Sequence, residues 1–135
     1  ALAGGVFVGS AGSGKISSAP RADYAEAAVT VLTTGNHQGK TYELSGDDSY
    51  TLTDLAAEIS RQSGKNVVYK NLTESEYADT LKSFGVPEGF AYAIAGWDTS
   101  ASKGDLFDNS HQLSRLIGRS TTSLSSVVKD ALKGN

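Results

Sequence analysis

Residues 6–20 read VFVGSAGSGKISSAP, and the way this stretch folds decides what kind of chain this is. Val6, Phe7 and Val8 form a short apolar strand. Gly9, Gly12 and Gly14 supply turn material. From Gly9 to Lys15 the spacing is G-x-x-x-x-G-K, one residue short of a phosphate-binding loop. Such a loop works when its N–H groups point at phosphates from a helix N-terminus and the next Ser or Thr ligates magnesium. Here Ile16 follows the lysine, and Pro20 pushes Ala19 out of the helical region. No helix of useful length fits between Gly14 and Pro20, and no apolar strand ending in Asp follows downstream. The glycines are spaced G-x-x-G-x-G, so a dinucleotide fingerprint fails as well. The stretch therefore reads as a strand, a glycine turn and a second short strand over 15–18, making a hairpin or a strand-loop-strand.

Outward from there, helices and strands alternate. Ala25, Ala28, Val29 and Leu32 recur at helical spacing, which predicts a helix over 22–33 with Asp23 in its first turn. Gly35-Asn36 ends it. Tyr42 and Leu44 alternate with Thr41 and Glu43, the pattern of a strand over 41–44. Thr51 with Asp54, and Thr73 with Glu76, have capping-box spacing and open two further helices, stopped at Gly64 and Gly85. Residues 67–69, Val-Val-Tyr, form a strand between them. Pro87 is placed to start a helix over 88–96, and the polar run 97–109 reads as loop. A short helix over 112–117 stops at Gly118. Leu124, Val127, Val128, Ala131 and Leu132 mark one face of a last helix. The expected architecture is α/β, a few short strands with about five or six helices, in a single domain over 1–135.

Composition narrows the function classes. The chain has 135 residues, 39% of them hydrophobic and 20% charged, enough for one core. A formal net charge of −3 argues against a nucleic-acid partner. No apolar run reaches the length of a membrane span. There is no cysteine, hence no disulfide, zinc-thiolate site or cysteine nucleophile. A reducing cytoplasm is the expected location. The chain begins at Ala1, contains no methionine and shows no signal segment, so it reads as a piece of a longer chain or a processed one.

Few residues carry chemistry. His37 and His111 have no second ligand at metal spacing and read as surface histidines, so no metal is expected. Asp47-Asp48, between a strand and a helix, reads as a solvated turn in preference to a cation site. No serine sits in a G-x-S-x-G elbow, and no tyrosine is followed four residues later by lysine. Two groups are less bland. The polar turn over 17–23 joins a strand end to a helix start, where ligands gather in open α/β sheets. Arg21 there meets either a ligand oxygen or a surface carboxylate. Phe90, Tyr92 and Trp97 either wall a pocket for a flat substrate or pack in the ordinary way.

Three runs carry a resemblance: GVFVGSAGSGKISSAPRADYAEAA, GKTYELSGDDSYTLTDLAAEISRQSGKNVVYKNLTESEYADTLKSFGVPEGF and ASKGDLFDNSHQLSRLIGRSTTSL. Together they resemble the C-terminal half of the bacterial NAD(P)H:quinone oxidoreductases of type 2, NmrA-like and atypical short-chain dehydrogenases related to the triphenylmethane reductases. The resemblance implies an enzyme with a Rossmann half that carries NADPH or NADH, and a smaller substrate lobe to which this chain corresponds. It implies direct hydride transfer to a quinone, without flavin or metal. By position, Ser18, Ala19 and Arg21 would face the cofactor. Ser17, with Phe90, Tyr92 and Trp97, would face the quinone. No residue is assigned a catalytic role. The Rossmann half lies outside these residues, so the chain alone is expected to be inactive and to self-associate through an exposed face. A non-catalytic NAD(P) sensor of the same family and a small phosphate-binding domain are the competing readings.

Overall fold

A computed structural model describes residues 4–133. Six helices and a two-stranded parallel sheet make up its regular structure, an α/β arrangement. The chain divides into two compact units. One takes in the chain up to Ile16 together with Tyr50–Leu106; the other takes in Ser17–Ser49 and the chain from Phe107 onward.

In the first unit, β1 (Val6–Gly9) pairs in parallel with β2 (Val68–Asn71), in the register Val6 to Val68 through Gly9 to Asn71. A parallel neighbour needs a crossover, and α2 (Leu52–Ser63) lies between the strands in sequence. Ala11, Leu52 and Ala101 form the buried cluster, with Phe7, Ile16, Leu55 and Tyr69 packed against it. The helix starts follow their capping boxes. Asp54 N–H donates to Thr51 Oγ1 at 3.1 Å, and Thr51 N–H returns to Asp54 Oδ2 at 2.8 Å. Thr73 and Glu76 open α3 (Glu74–Ser83) in the same way. Each cap contributes about 1 kcal/mol. α3 packs on α4 (Glu88–Ser102), and the small buried Ala78, Ala91 and Ala95 on these helices allow close approach.

In the second unit, α1 (Arg21–Thr33) packs on α5 (Gln112–Ile117), burying Ala27 and Leu113 completely. α6 (Leu124–Lys133) buries Val128.

Three expectations are corrected. Residues 15–18 are not a strand: only Ile16 makes a bridge, antiparallel to Tyr50, so there is no hairpin and β1 takes β2 as its partner. Residues 41–44 are not a strand either. Their alternation is real, but no ladder partner exists among the described residues, and a strand is held by its partner. Residues 97–102 are helix, not loop. Thr99 and Ser102 hydroxyls bond back to Ala95 and Thr99 carbonyls at 3.1 and 2.6 Å, and Ala101 anchors the end in the core. This polar run is thus helical with its hydroxyls turned back on the helix and its end held by the packing of Ala101.

Candidate functional site

The 9–14 loop has no free phosphate cradle. Ser10 N–H donates to Asp98 Oδ2 at 2.9 Å, Ala11 N–H to Tyr69 OH at 3.1 Å, and Gly12 N–H to Asn71 Oδ1 at 2.8 Å. Three successive amides, the groups that would wrap a phosphate, already have acceptors from the same unit. Asp98 places a carboxylate where an anion would go. Burial raises the pKa of the Tyr69 hydroxyl. Gly14 N–H closes the turn on Ala11 C=O at 2.9 Å. Gly14 has no room for a side chain, because a Cβ would stand 2.7 Å from Ser102 Cα.

The 17–21 turn lies in the other unit. Ser17 is buried, and both its polar oxygens are engaged. Its C=O accepts from Gly46 N–H at 2.8 Å, and its Oγ accepts from Asp108 N–H at 3.3 Å. Ala19 N–H donates to Tyr24 OH at 3.2 Å. Pro20 stands at the N-cap of α1 in extended conformation, with no side-chain cap bond. Arg21 is exposed on the first turn and forms no ion pair among the described residues. The turn thus offers an exposed guanidinium and an uncapped helix start, a setting that suits a polar or anionic ligand group.

Phe90, Tyr92 and Trp97 belong to the first unit, on α4. Phe90 and Trp97, seven residues apart, meet edge to face with ring centroids 5.9 Å apart. Both are more than half exposed, at 54% and 59%. Tyr92 instead meets Lys82, whose Nζ lies 5.0 Å from the ring centroid. Phe90 and Trp97 therefore form one aromatic pair, and Tyr92 stands apart from it.

The second unit also contains polar hubs that spacing does not reveal. Asp23 is 1% exposed. It accepts from Thr122 N–H at 2.7 Å, Thr122 Oγ1 at 3.0 Å and Arg119 Nη2 at 2.9 Å. Burial would raise its pKa, but these donors outweigh burial and lower it. Asp47 is not the solvated turn its sequence context suggests. It accepts from Thr121 N–H, Ser114 Oγ and His111 Nδ1, and its own N–H donates to Thr121 Oγ1. Burial opposes ionisation there too, but the Thr121, His111 and Ser114 bonds hold the carboxyl at about 2. His111 is exposed and adopts a left-handed backbone at φ 55°. His37 bonds to Thr34 and Tyr42. No group of three or more His, Cys, Asp or Glu is placed to hold a metal ion among the described residues. No helix among them is long and apolar enough to cross a membrane.

No family model matches the chain. Quinone oxidoreductase 2 of Escherichia coli (strain K12) is 54% identical over 135 residues, which is 100% of this chain and 47% of that protein. The crystal structure of the NADPH-dependent quinone oxidoreductase of Escherichia coli complexed with NADPH superimposes with a TM-score of 0.96 at 55% identity, over 98% of this chain and 47% of the other. The triphenylmethane reductase of Citrobacter sp. follows with a TM-score of 0.92 and 40% identity, over 98% of this chain and 46% of the other. The chain spans about half the length of the relatives it matches. The resemblance carried by its own residues is therefore found again in sequence and in fold.

Proposed function

We propose that this chain, a relative of quinone oxidoreductase 2 and triphenylmethane reductase, forms the quinone-side lobe of an NAD(P)H-dependent oxidoreductase. The observation that carries this reading is identity of 54% spread over the entire chain. When bound, the nicotinamide would supply a hydride to the quinone, with solvent supplying the proton that completes reduction to the hydroquinone. Everything this chain contributes is positioning and exclusion of water. Arg21, exposed at the start of α1, is suited to a phosphate or an amide oxygen of the dinucleotide. Ser18 and Ala19 precede it in the same turn and would meet the same ligand, and buried Ser17 stiffens the turn. The Phe90–Trp97 edge offers a flat quinone a stacking partner. The 9–14 loop takes no part in binding phosphate, since its Ser10, Ala11 and Gly12 amides are already paired. The remaining half of the enzyme, of the kind its relatives possess, would supply the dinucleotide cradle.

Trp97 is the single tryptophan, so its fluorescence reports on the quinone. The chain is mixed with NADPH and a benzoquinone, alone and with the other half of the Escherichia coli enzyme. We expect no turnover alone, turnover with the added half, and saturable quenching of Trp97 by the quinone. Robust turnover by the chain alone would overturn the division of labour. A sensor of the dinucleotide ratio is the second reading, favoured by the lack of any acid–base group on the 17–21 turn. NADPH binding without oxidation in the combined halves would select it.

A further inference from the structure

We propose that Gly46 is a positioning residue that sets where the 17–21 turn stands, and through it how tightly a nicotinamide dinucleotide is held; the second clause rests on the function proposed above. Gly46 N–H donates to Ser17 C=O at 2.8 Å. It also leaves no space for a side chain: a Cβ would overlap Ser18 O and lie 3.1 Å from Ser18 C. Those atoms are backbone, so an added methyl is relieved only by moving one segment against the other. The Gly46 side is held on both flanks through Ser45 and Asp47. On one flank Ser45 Oγ donates to Asp108 Oδ2 at 2.6 Å, and Asp108 N–H returns to Ser17 Oγ at 3.3 Å. On the other flank the Asp47 carboxylate is held by Thr121, Ser114 and His111 at 2.9, 2.7 and 2.9 Å. Ser45, Gly46 and Asp47 therefore form a clamp anchored to both 108–114 and 121. The turn is the part that yields. Gly46 acts through the turn alone: it meets Ser17 and Ser18, and the residues proposed to face the dinucleotide are 18, 19 and 21. In catalysis a displacement of about 1 Å in a positioning segment can cost on the order of 100-fold in rate.

The test uses Gly46→Ala, with Gly35→Ala as control, since a Cβ at Gly35 meets nothing within 4 Å. In amide NMR spectra of the chain, Gly46→Ala should shift the signals of residues 17–21, and Gly35→Ala should leave them in place. In a fluorescence titration of NADPH against the chain combined with the other half of the Escherichia coli enzyme, Gly46→Ala should weaken binding at least tenfold. A folded Gly46→Ala protein with unmoved 17–21 signals overturns the positioning role. Moved signals with unchanged NADPH affinity overturn the link to the ligand. A wild-type combination that ignores NADPH refutes the proposed function and the ligand link together, and leaves the positioning role to the NMR result. If Gly46→Ala fails to fold, Ser45→Ala takes its place. It loosens the clamp without adding bulk and should move the same signals and weaken NADPH three- to fivefold; unchanged signals and affinity would overturn the proposal.

Discussion

Replacing Asp23 by alanine removes a carboxylate that ties the start of α1 to the segment before α6. Three donors lose their acceptor: Thr122 N–H, Thr122 Oγ1 and Arg119 Nη2. The Thr122 amide, left in a partly buried position, costs about 2 kcal/mol. The hydroxyl can turn to water and costs less. Arg119 is 43% exposed and keeps Glu26, so its loss is screened to under about 1 kcal/mol. The sum is about 3 kcal/mol. For 135 residues melting together, an unfolding entropy of about 0.28 kcal/mol/K turns this into a fall of about 10 °C in Tm. Urea titrations followed by circular dichroism give the same difference in free energy. The pH dependence has a defined sign. The folded carboxyl has a lowered pKa, so its stabilisation is fully present above the unfolded value of about 3.9. It is lost as pH falls through the folded value. The gap between wild type and Asp23→Ala should therefore be widest at neutral pH and close in acid. A gap below about 1 kcal/mol at pH 7, or one that grows in acid, would refute the account of Asp23 as an ionised acceptor.

Asp47 behaves alike, and its folded value of about 2 is lower by nearly two units than the ordinary carboxyl, worth about 2 kcal/mol; Asp47→Asn should lose that amount at pH 7, with most of the gap gone as pH falls to the folded value and the rest below it, in urea titrations. Gly14→Ala should destabilise by about 2 kcal/mol or more, because its methyl would meet the Ala101 and Ser102 backbone; an unchanged urea midpoint would show that α4 gives way freely. Millimolar ATP with magnesium should leave the melting temperature unchanged, as the Ser10, Ala11 and Gly12 amides are already paired; a rise of several degrees would revive the phosphate-loop reading. Val29 and Leu32 stand exposed on α1, at 59% and 84%, so light scattering should show self-association that Leu32→Ser weakens; a strict monomer at all concentrations would count against it.

What the sequence made legible was local. Both capping boxes and the glycine stops follow from residues three or four apart, and the helices form where these signals stand. The amphipathic last helix could be read for the same reason. Pairing over distance could not be read. β1 looked like half of a hairpin because its true partner, β2, lies 62 residues on, as the register of Val6 with Val68 shows. The strand-like 41–44 segment had the right alternation and no partner among the described residues. Asp23 was read for its place in a helix turn, and Asp47 for its acidic neighbour, while their partners lie up to 99 and 74 residues away. Arg21 and the turn before it could be found from Pro20 and the helix start. That Ser17 is spoken for by Gly46 and Asp108 could not.

The 9–14 loop shows why spacing alone misleads. Its glycine-lysine spacing nearly matches a phosphate loop, and its amides do converge on acceptors, as they would around a phosphate. The acceptors are the chain's own: Asp98 from α4, and Tyr69 and Asn71 from β2. An amide can be offered to a ligand only if the fold leaves it unpaired. In this chain the loop spends its donors holding β1, β2 and α4 together. Arg21 and the start of α1, which has no side-chain cap, both follow Pro20. A search for ligand contacts therefore belongs at the turn over 17–21, where Arg21 remains unpaired by any carboxylate among the described residues.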